Sequence, residues 1–250
     1  MSSTLISSVF AISLLSASLV SADTNPNAQG ACEPTTETCG PNGSEEWLNS
    51  GLSEANGWNP PYLDINSIVH INRDQLYGGV GGSCSQYNDE FQSAGDEFGI
   101  DPTILAFIAL QESSCNADAG GPTPGLMQVD PGNCLDGASS CQYPILANVR
   151  AGASYLRDQL NTYNNNIVHA IGVYNGWFTS DDGQAQCCNN GRGLTEDYPC
   201  TVNQNYEYGT PQNLDYLHQT LNGWFQGLDP YDSDIGYYKC DQQCGTGPIC

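Results

Sequence analysis

Glu112 ends the apolar run Ile104–Leu110 in "DPTILAFIALQESS" and is the first carboxylate in that stretch after Asp101. A carboxylate at the C-terminal end of a buried helix faces the negative end of the helix dipole and loses hydration. Both effects favour its protonated form. That is the property a general acid needs near neutral or mildly acidic pH. Glycosidic bonds in particular break only when a proton reaches the leaving oxygen. The same position also suits a glutamate that is simply the first exposed residue after a core helix.

The residues downstream favour chemistry. "GLMQVD" (125–130) is turn-prone at its start, then narrow and apolar, with the amide of Gln128 able to read a substrate. Two carboxylates flank this turn, Asp118 before it and Asp130 at its end. An inverting glycosidase needs a second carboxylate, roughly 6.5–9.5 Å from the acid, to hold a water on the opposite face of the sugar. Against that role, Asp118 reads equally as a plain loop residue and Asp130 as a turn cap before Pro131. The histidines, His70, His169 and His218, are scattered, and there is no paired CxxC spacing, so no metal site and no cofactor are expected. The aromatics Tyr155, Trp177, Trp224 and Tyr198 could stack on sugars, although each also suits a core.

These residues need elements to hold them. Asp101 and Pro102 form an N-cap and a first helical residue. The run that follows is apolar on nearly every side and predicts a buried helix ending at Glu112. Before it, "SQYNDEFQSAGDEFGI" spaces Tyr87, Phe91, Ala94 and Phe98 along one helical face. After it, Pro144 opens a helix over 144–160 with Ile145, Val149, Gly152, Leu156 and Leu160 on one side. A shorter apolar helix ends near Asn175–Gly176. A last one over 211–227 points Leu214, Leu217, Leu221 and Trp224 or Phe225 inward. The expected class is mainly α (α+β): a helical bundle around a buried helix that ends at the candidate acid. A small β element, expected around 123–145, would line the sugar cleft.

Composition sets the class of protein. The start, "MSSTLISSVFAISLLSASLVSA", has an apolar centre and a small-residue cleavage site, which predicts a signal peptide over 1–22 and a secreted protein. All 12 cysteines follow it, an even count that predicts disulfides, with Cys32–Cys39 and Cys134–Cys141 the nearest pairs in sequence. There are 28 acidic residues against 5 basic ones, a net charge of −23, which excludes nucleic acid and an anionic membrane as partners. Residues 23–83 read as an irregular, disulfide-tied N-terminal extension bounded by Gly78, Gly79, Gly81 and Gly82. Residues 84–228 read as the catalytic domain and 229–250 as a cysteine-rich tail packed on it. Asn42-Gly43-Ser44 is the one glycosylation sequon and is expected on a surface loop.

In order, Glu112-Ser113, Gly125-Leu126-Met127-Gln128, Asn148-Val149-Arg150-Ala151-Gly152 with Tyr155-Leu156, and Tyr174-Asn175 resemble the marks of one family. It is that of the goose-type lysozymes and soluble lytic transglycosylases, family 23 of the glycoside hydrolases, and the resemblance covers about residues 85–226. It implies that Glu112 protonates the bond after N-acetylmuramic acid in peptidoglycan. It also implies that Tyr174 touches and orients Glu112, that Ser113, Met127 and Gln128 contact sugar, and that Asn175 shapes the cleft floor. A family Glu-Thr-x-x-Tyr element has an echo, in scrambled order, in "LTEDYP" (194–199), and the resemblance makes Tyr198 the candidate cleft residue there. The family's Ala-Tyr-Asn-Ala-Gly is here Val173-Tyr174-Asn175-Gly176-Trp177, so the groove wall beyond Asn175 departs from the pattern.

Asp130 falls where goose-type enzymes also carry an aspartate, and Asp118 falls near a second. The expectation is therefore a monomeric muramidase that hydrolyses the β-1,4 bond of peptidoglycan glycan strands, best at acidic pH. A lytic transglycosylase, which needs only the glutamate, a chitinase on the same fold, and a non-enzymatic glycan-binding protein are the alternatives. The intact set Glu112, Gln128 and Tyr174 argues against the last.

Overall fold

The computed structural model describes residues 24–51, 58–177 and 214–237. The expected signal peptide, Tyr198, and the cysteines at 187, 188, 200, 240, 244 and 250 lie outside the described residues. The elements are β1 (Cys39–Gly40), β2 (Gly43–Ser44), α1 (Glu45–Leu48), α2 (Arg73–Gly78), α3 (Asn88–Phe98), α4 (Pro102–Ser113), α5 (Ile145–Thr162), α6 (Ile167–Tyr174) and α7 (Tyr216–His218). α7 runs on through a π-helical stretch, Gln219–Gly223, and a 3₁₀ turn, Trp224–Gln226. The class is mainly α with one small antiparallel sheet, in which Cys39 faces Ser44 and Gly40 faces Gly43.

α4 is the axis of the core. The Asp101 carboxylate accepts from the Thr103 amide at 2.7 Å and caps it, Pro102 starts it, and every residue from Thr103 to Leu110 is buried. An all-round apolar helix has no solvent face and must be enclosed. α3 and α5 pack on each other and on α4, and α6 packs on α5. Val149, Leu156 and Leu160 of α5 are buried as their spacing predicts.

The small sheet is not where the sequence led us to expect it. It sits in the N-terminal segment, while 123–145 is built of turns and short 3₁₀ pieces. The reason is local: Gly125 (φ 110°), Gln128 (φ 46°) and Asp136 (φ 59°) hold left-handed backbone that no strand accommodates. Disulfides Cys32–Cys39 and Cys134–Cys141 form as sequence proximity suggests, and Cys84–Cys115 ties the turn before α3 to the residues just past α4.

The described residues between 24 and 83 contribute to the main core. Leu48, Trp58, Leu63 and Leu76 are each fully buried in it. The sequon is corrected here: Asn42 is fully buried, and its side-chain nitrogen donates to the carbonyls of Val69 and Leu221, each at 2.8 Å. In the folded chain the atom that would carry a glycan is consumed by two hydrogen bonds.

Candidate active site

The C-terminal end of α4 delivers Glu112 to the wall of a cavity of about 580 Å³. Thr123, Gln128 and Asp130 line it from the turn after α4. Tyr155 and Gln159 line it from α5, and Tyr174 and Asn175 from the end of α6. Glu112 keeps a partly exposed edge towards this cavity while protein encloses its carboxyl. Burial pushes that carboxyl from an ordinary 4.5 up to about 7, and a hydrogen bond from Tyr216 pulls partly against the rise. The direction agrees with the sequence reading, but its largest cause is desolvation. A carboxyl titrating near neutrality can both give and take a proton at working pH.

The Gly-Leu-Met-Gln turn is fixed from α5. The side chain of Asn148, fully buried, accepts from the Met127 amide at 2.7 Å and donates to the Pro124 carbonyl at 3.3 Å. Gly125 has no side chain because a Cβ there would come within 2.6 Å of the Asn148 amide nitrogen, at a φ of 110°. Gly152 is bare for a similar reason: a Cβ would meet the Tyr174 hydroxyl at 2.8 Å and Met127 at 3.0 Å. The spacing Asn148…Gly152 thus serves one purpose, to let α5 approach the turn that carries Gln128.

Several site expectations need correction. Tyr174 does not bond to Glu112. Its hydroxyl donates to the Met127 carbonyl at 2.8 Å, and the Glu112 charge reaches it only through space, adding to burial in raising its pKa. The phenol that bonds to Glu112 is that of Tyr216 in α7, which donates to Oε1. Met127 is fully buried, so its side chain packs in the core rather than touching sugar. The Ser113 hydroxyl is also spent internally, donating to the Leu126 carbonyl at 2.7 Å, with the Ala109 carbonyl at 3.1 Å.

The two aspartates part company. Asp130 lines the cavity, and one of its oxygens caps the Gly132 amide at 2.7 Å. Asp118 does not line the cavity; it is exposed and accepts a hydrogen bond from the Tyr143 hydroxyl. Gln128, whose amide donates to the Gly125 carbonyl at 2.9 Å, and Asn175, which caps α6, both line the cavity. Trp177 lines it too, 1% exposed and propped edge-on by Trp58 with ring centroids 4.6 Å apart. Trp224 is buried and donates to the Gln111 side chain at 2.7 Å.

Sequence reasoning missed Tyr216. The available signal was its place on an apolar helix face beside Leu217 and Leu221, where a phenol must find a buried partner.

Residues 89–182 match the family model of the transglycosylase SLT domain. Among solved structures, the chain is similar to a complex of the 70 kDa soluble lytic transglycosylase with bulgecin A, at 29% identity and a TM-score of 0.34, over 42% of this chain and 19% of that one. It is similar to an inactive mutant of the lytic transglycosylase Slt from Pseudomonas aeruginosa at 26% and 0.32, over 35% of this chain and 16% of that one. It is also similar to the 70 kDa soluble lytic transglycosylase from Escherichia coli at 28% and 0.33, over 43% and 19%. The chain spans less than a fifth of the length of these proteins.

Proposed function

We propose that this chain, whose residues 89–182 match the family model of the transglycosylase SLT domain, cleaves the β-1,4 bond of peptidoglycan glycan strands as a lytic transglycosylase, with Glu112 as its one acid and base. The observation that carries this reading is the Glu112 carboxyl itself, lodged in the cavity wall with its pKa raised to about 7. Protonated Glu112 gives its proton to the glycosidic oxygen as the bond to C1 breaks and positive charge develops on the ring. The resulting carboxylate then takes the proton of the muramyl 6-hydroxyl as that oxygen bonds to C1, closing a 1,6-anhydro ring. One group serves both steps because its proton affinity sits between those they require. Tyr216, donating to Oε1, orients the carboxyl, and Gln128 and Asn175 offer amides to the sugar from the cavity wall.

The sequence pointed first to hydrolysis, and one observation still supports it as a second reading: Asp130 lines the same cavity and could hold a water. Asp118, exposed and away from the cavity wall, gives that reading no support. Product chemistry separates the two, since transglycosylation leaves anhydro-muramyl ends and hydrolysis leaves reducing ends. The net charge of −23 supports work at acidic pH, where repulsion from a polyanionic wall weakens and Glu112 holds its proton. Secretion through the 1–22 leader belongs to the same proposal.

A further inference from the structure

The segment that carries Tyr216 packs on α4 and α6 and is also tied by a series of hydrogen bonds to residues 36–49, which precede the matched domain. The Asn42 amide donates to Oδ1 of Asn222 at 2.8 Å, and the Asn42 side chain donates to the Leu221 carbonyl at 2.8 Å. Asn222 answers by donating to the Gly43 carbonyl at 3.1 Å and to Nδ1 of His218 at 2.9 Å. His218 donates from Nε2 to the Thr36 carbonyl at 3.1 Å, inside the loop closed by Cys32–Cys39. At the other end of the segment, Asn49 donates to the Leu214 carbonyl at 2.9 Å, and the buried Glu45 carboxyl meets that of Asp215. Gly40 is bare where a Cβ would come within 2.5 Å of Asn222.

Leu214, Asp215, His218, Leu221 and Asn222 are therefore all gripped from the N-terminal segment, and Tyr216 is the residue among them that reaches across to Glu112. We propose that Asn42 is a positioning residue for the acid: it locks the α7 segment in the register that lets Tyr216 bond to Glu112. Its buried side chain uses both N–H donors, one to the Val69 carbonyl and one to the Leu221 carbonyl, and accepts from the Val69 amide at 2.9 Å, so it ties the α7 segment to the stretch of chain at Val69. Its role as a positioning residue rests on the reading of Glu112 as the acid, but the bond it secures can be measured without any substrate.

The measurement is a ¹³C NMR titration of the Glu112 side chain in the full chain, assigned by its absence in Glu112→Gln. The groups facing Glu112 are the phenols of Tyr174, Tyr216 and Tyr231, and none of them is altered in the Asn42 or Asn49 variants. Tyr216→Phe removes the bond directly and raises the Glu112 midpoint by about one pH unit, the scale of one charge-assisted hydrogen bond. Asn42→Ser raises it in the same direction by a comparable amount. Asn49→Ala, which removes a single bond to Leu214, gives a smaller rise and decides the matter if Asn42→Ser does not fold. Gly99→Ala, strained at a φ of 65° at the end of α3, serves as a destabilised control and leaves the midpoint in place. Wild-type midpoints in folded Asn42→Ser and Asn49→Ala would overturn the proposal. A wild type that cleaves no glycan would end the functional reading, and the titration result would stand apart from it.

Discussion

Tyr216 donates its phenol hydrogen to Oε1 of Glu112, 104 positions away in the chain. Charge-assisted hydrogen bonds from neutral donors stabilise a carboxylate against its acid. Here that effect opposes burial, and the net result is a carboxyl that titrates near 7. Replacing Tyr216 by Phe leaves burial unopposed. The alkaline limb of the rate–pH profile then moves to higher pH, and turnover at pH 5 falls roughly tenfold to a hundredfold as the acid loses its fixed orientation. A rate–pH profile of Tyr216→Phe checks both.

Glu112 also sets a stability cost. Its folded pKa lies above its ordinary value of 4.5, so its contribution is fully present below pH 4.5 and is lost as pH rises through about 7. The loss amounts to as much as about 3 kcal/mol at alkaline pH. Glu112→Gln removes it, so this variant is expected to lose cleavage by at least ~10²-fold while melting higher than wild type at pH 8. Thermal melts at pH 5 and pH 8 give the comparison.

Glu45 is the larger case of the same sign. Burial, and then the neighbouring Asp215 carboxyl, raise it to about 10, so it stays protonated across the physiological range. Its stabilisation is present below pH 4.5 and declines as pH rises towards 10. Wild type should lose roughly 5 °C or more between pH 5 and pH 9, and Glu45→Gln distinctly less. The self-repulsion of a chain at −23 acts on both proteins alike, so the difference between their melting curves isolates this group.

The aspartates divide the two chemistries. Asp118→Asn changes turnover less than twofold under either mechanism, because Asp118 stands outside the cavity wall. Asp130→Asn costs less than tenfold if the muramyl 6-hydroxyl is the nucleophile. If instead Asp130 activates a water, the loss is ~10²-fold or more. Steady-state rates on purified sacculi distinguish these values.

Gly152→Ala tests how α5 carries the turn. Its new methyl must displace the Tyr174 hydroxyl, 2.8 Å away, or Met127 at 3.0 Å, and both support the backbone of Gln128. Overpacking of this kind costs about 1–3 kcal/mol. A lowered melting temperature together with a raised KM on glycan strands is the expected outcome.

What the sequence made legible was local. Asp101-Pro102 announced the start of α4, the unbroken apolar run announced its burial, and Glu112 could be placed at its end because cap, length and pattern agreed. The turn at 125–128 was recognisable by composition, yet its conformation was not: Gln128 takes a φ of 46° next to Met127, whose amide is held by Asn148 on another helix, which no periodicity reveals. The N-terminal segment read as an appendage because its elements are short. Its burial of Leu48 and Trp58 depends on partners far along the chain. Tyr216 was hidden for the same reason, since its one informative contact is 104 positions away. Asp118 and Asp130 looked alike in sequence and differ only in which wall the fold gives them.

The most direct test of the account is mass spectrometry of the products released from purified peptidoglycan by wild type and by Glu112→Gln. Wild type is predicted to release muropeptides ending in 1,6-anhydromuramic acid, and Glu112→Gln to release none. Reducing muramic ends from wild type would contradict transglycosylation, and undiminished release by Glu112→Gln would contradict the assignment of the acid itself.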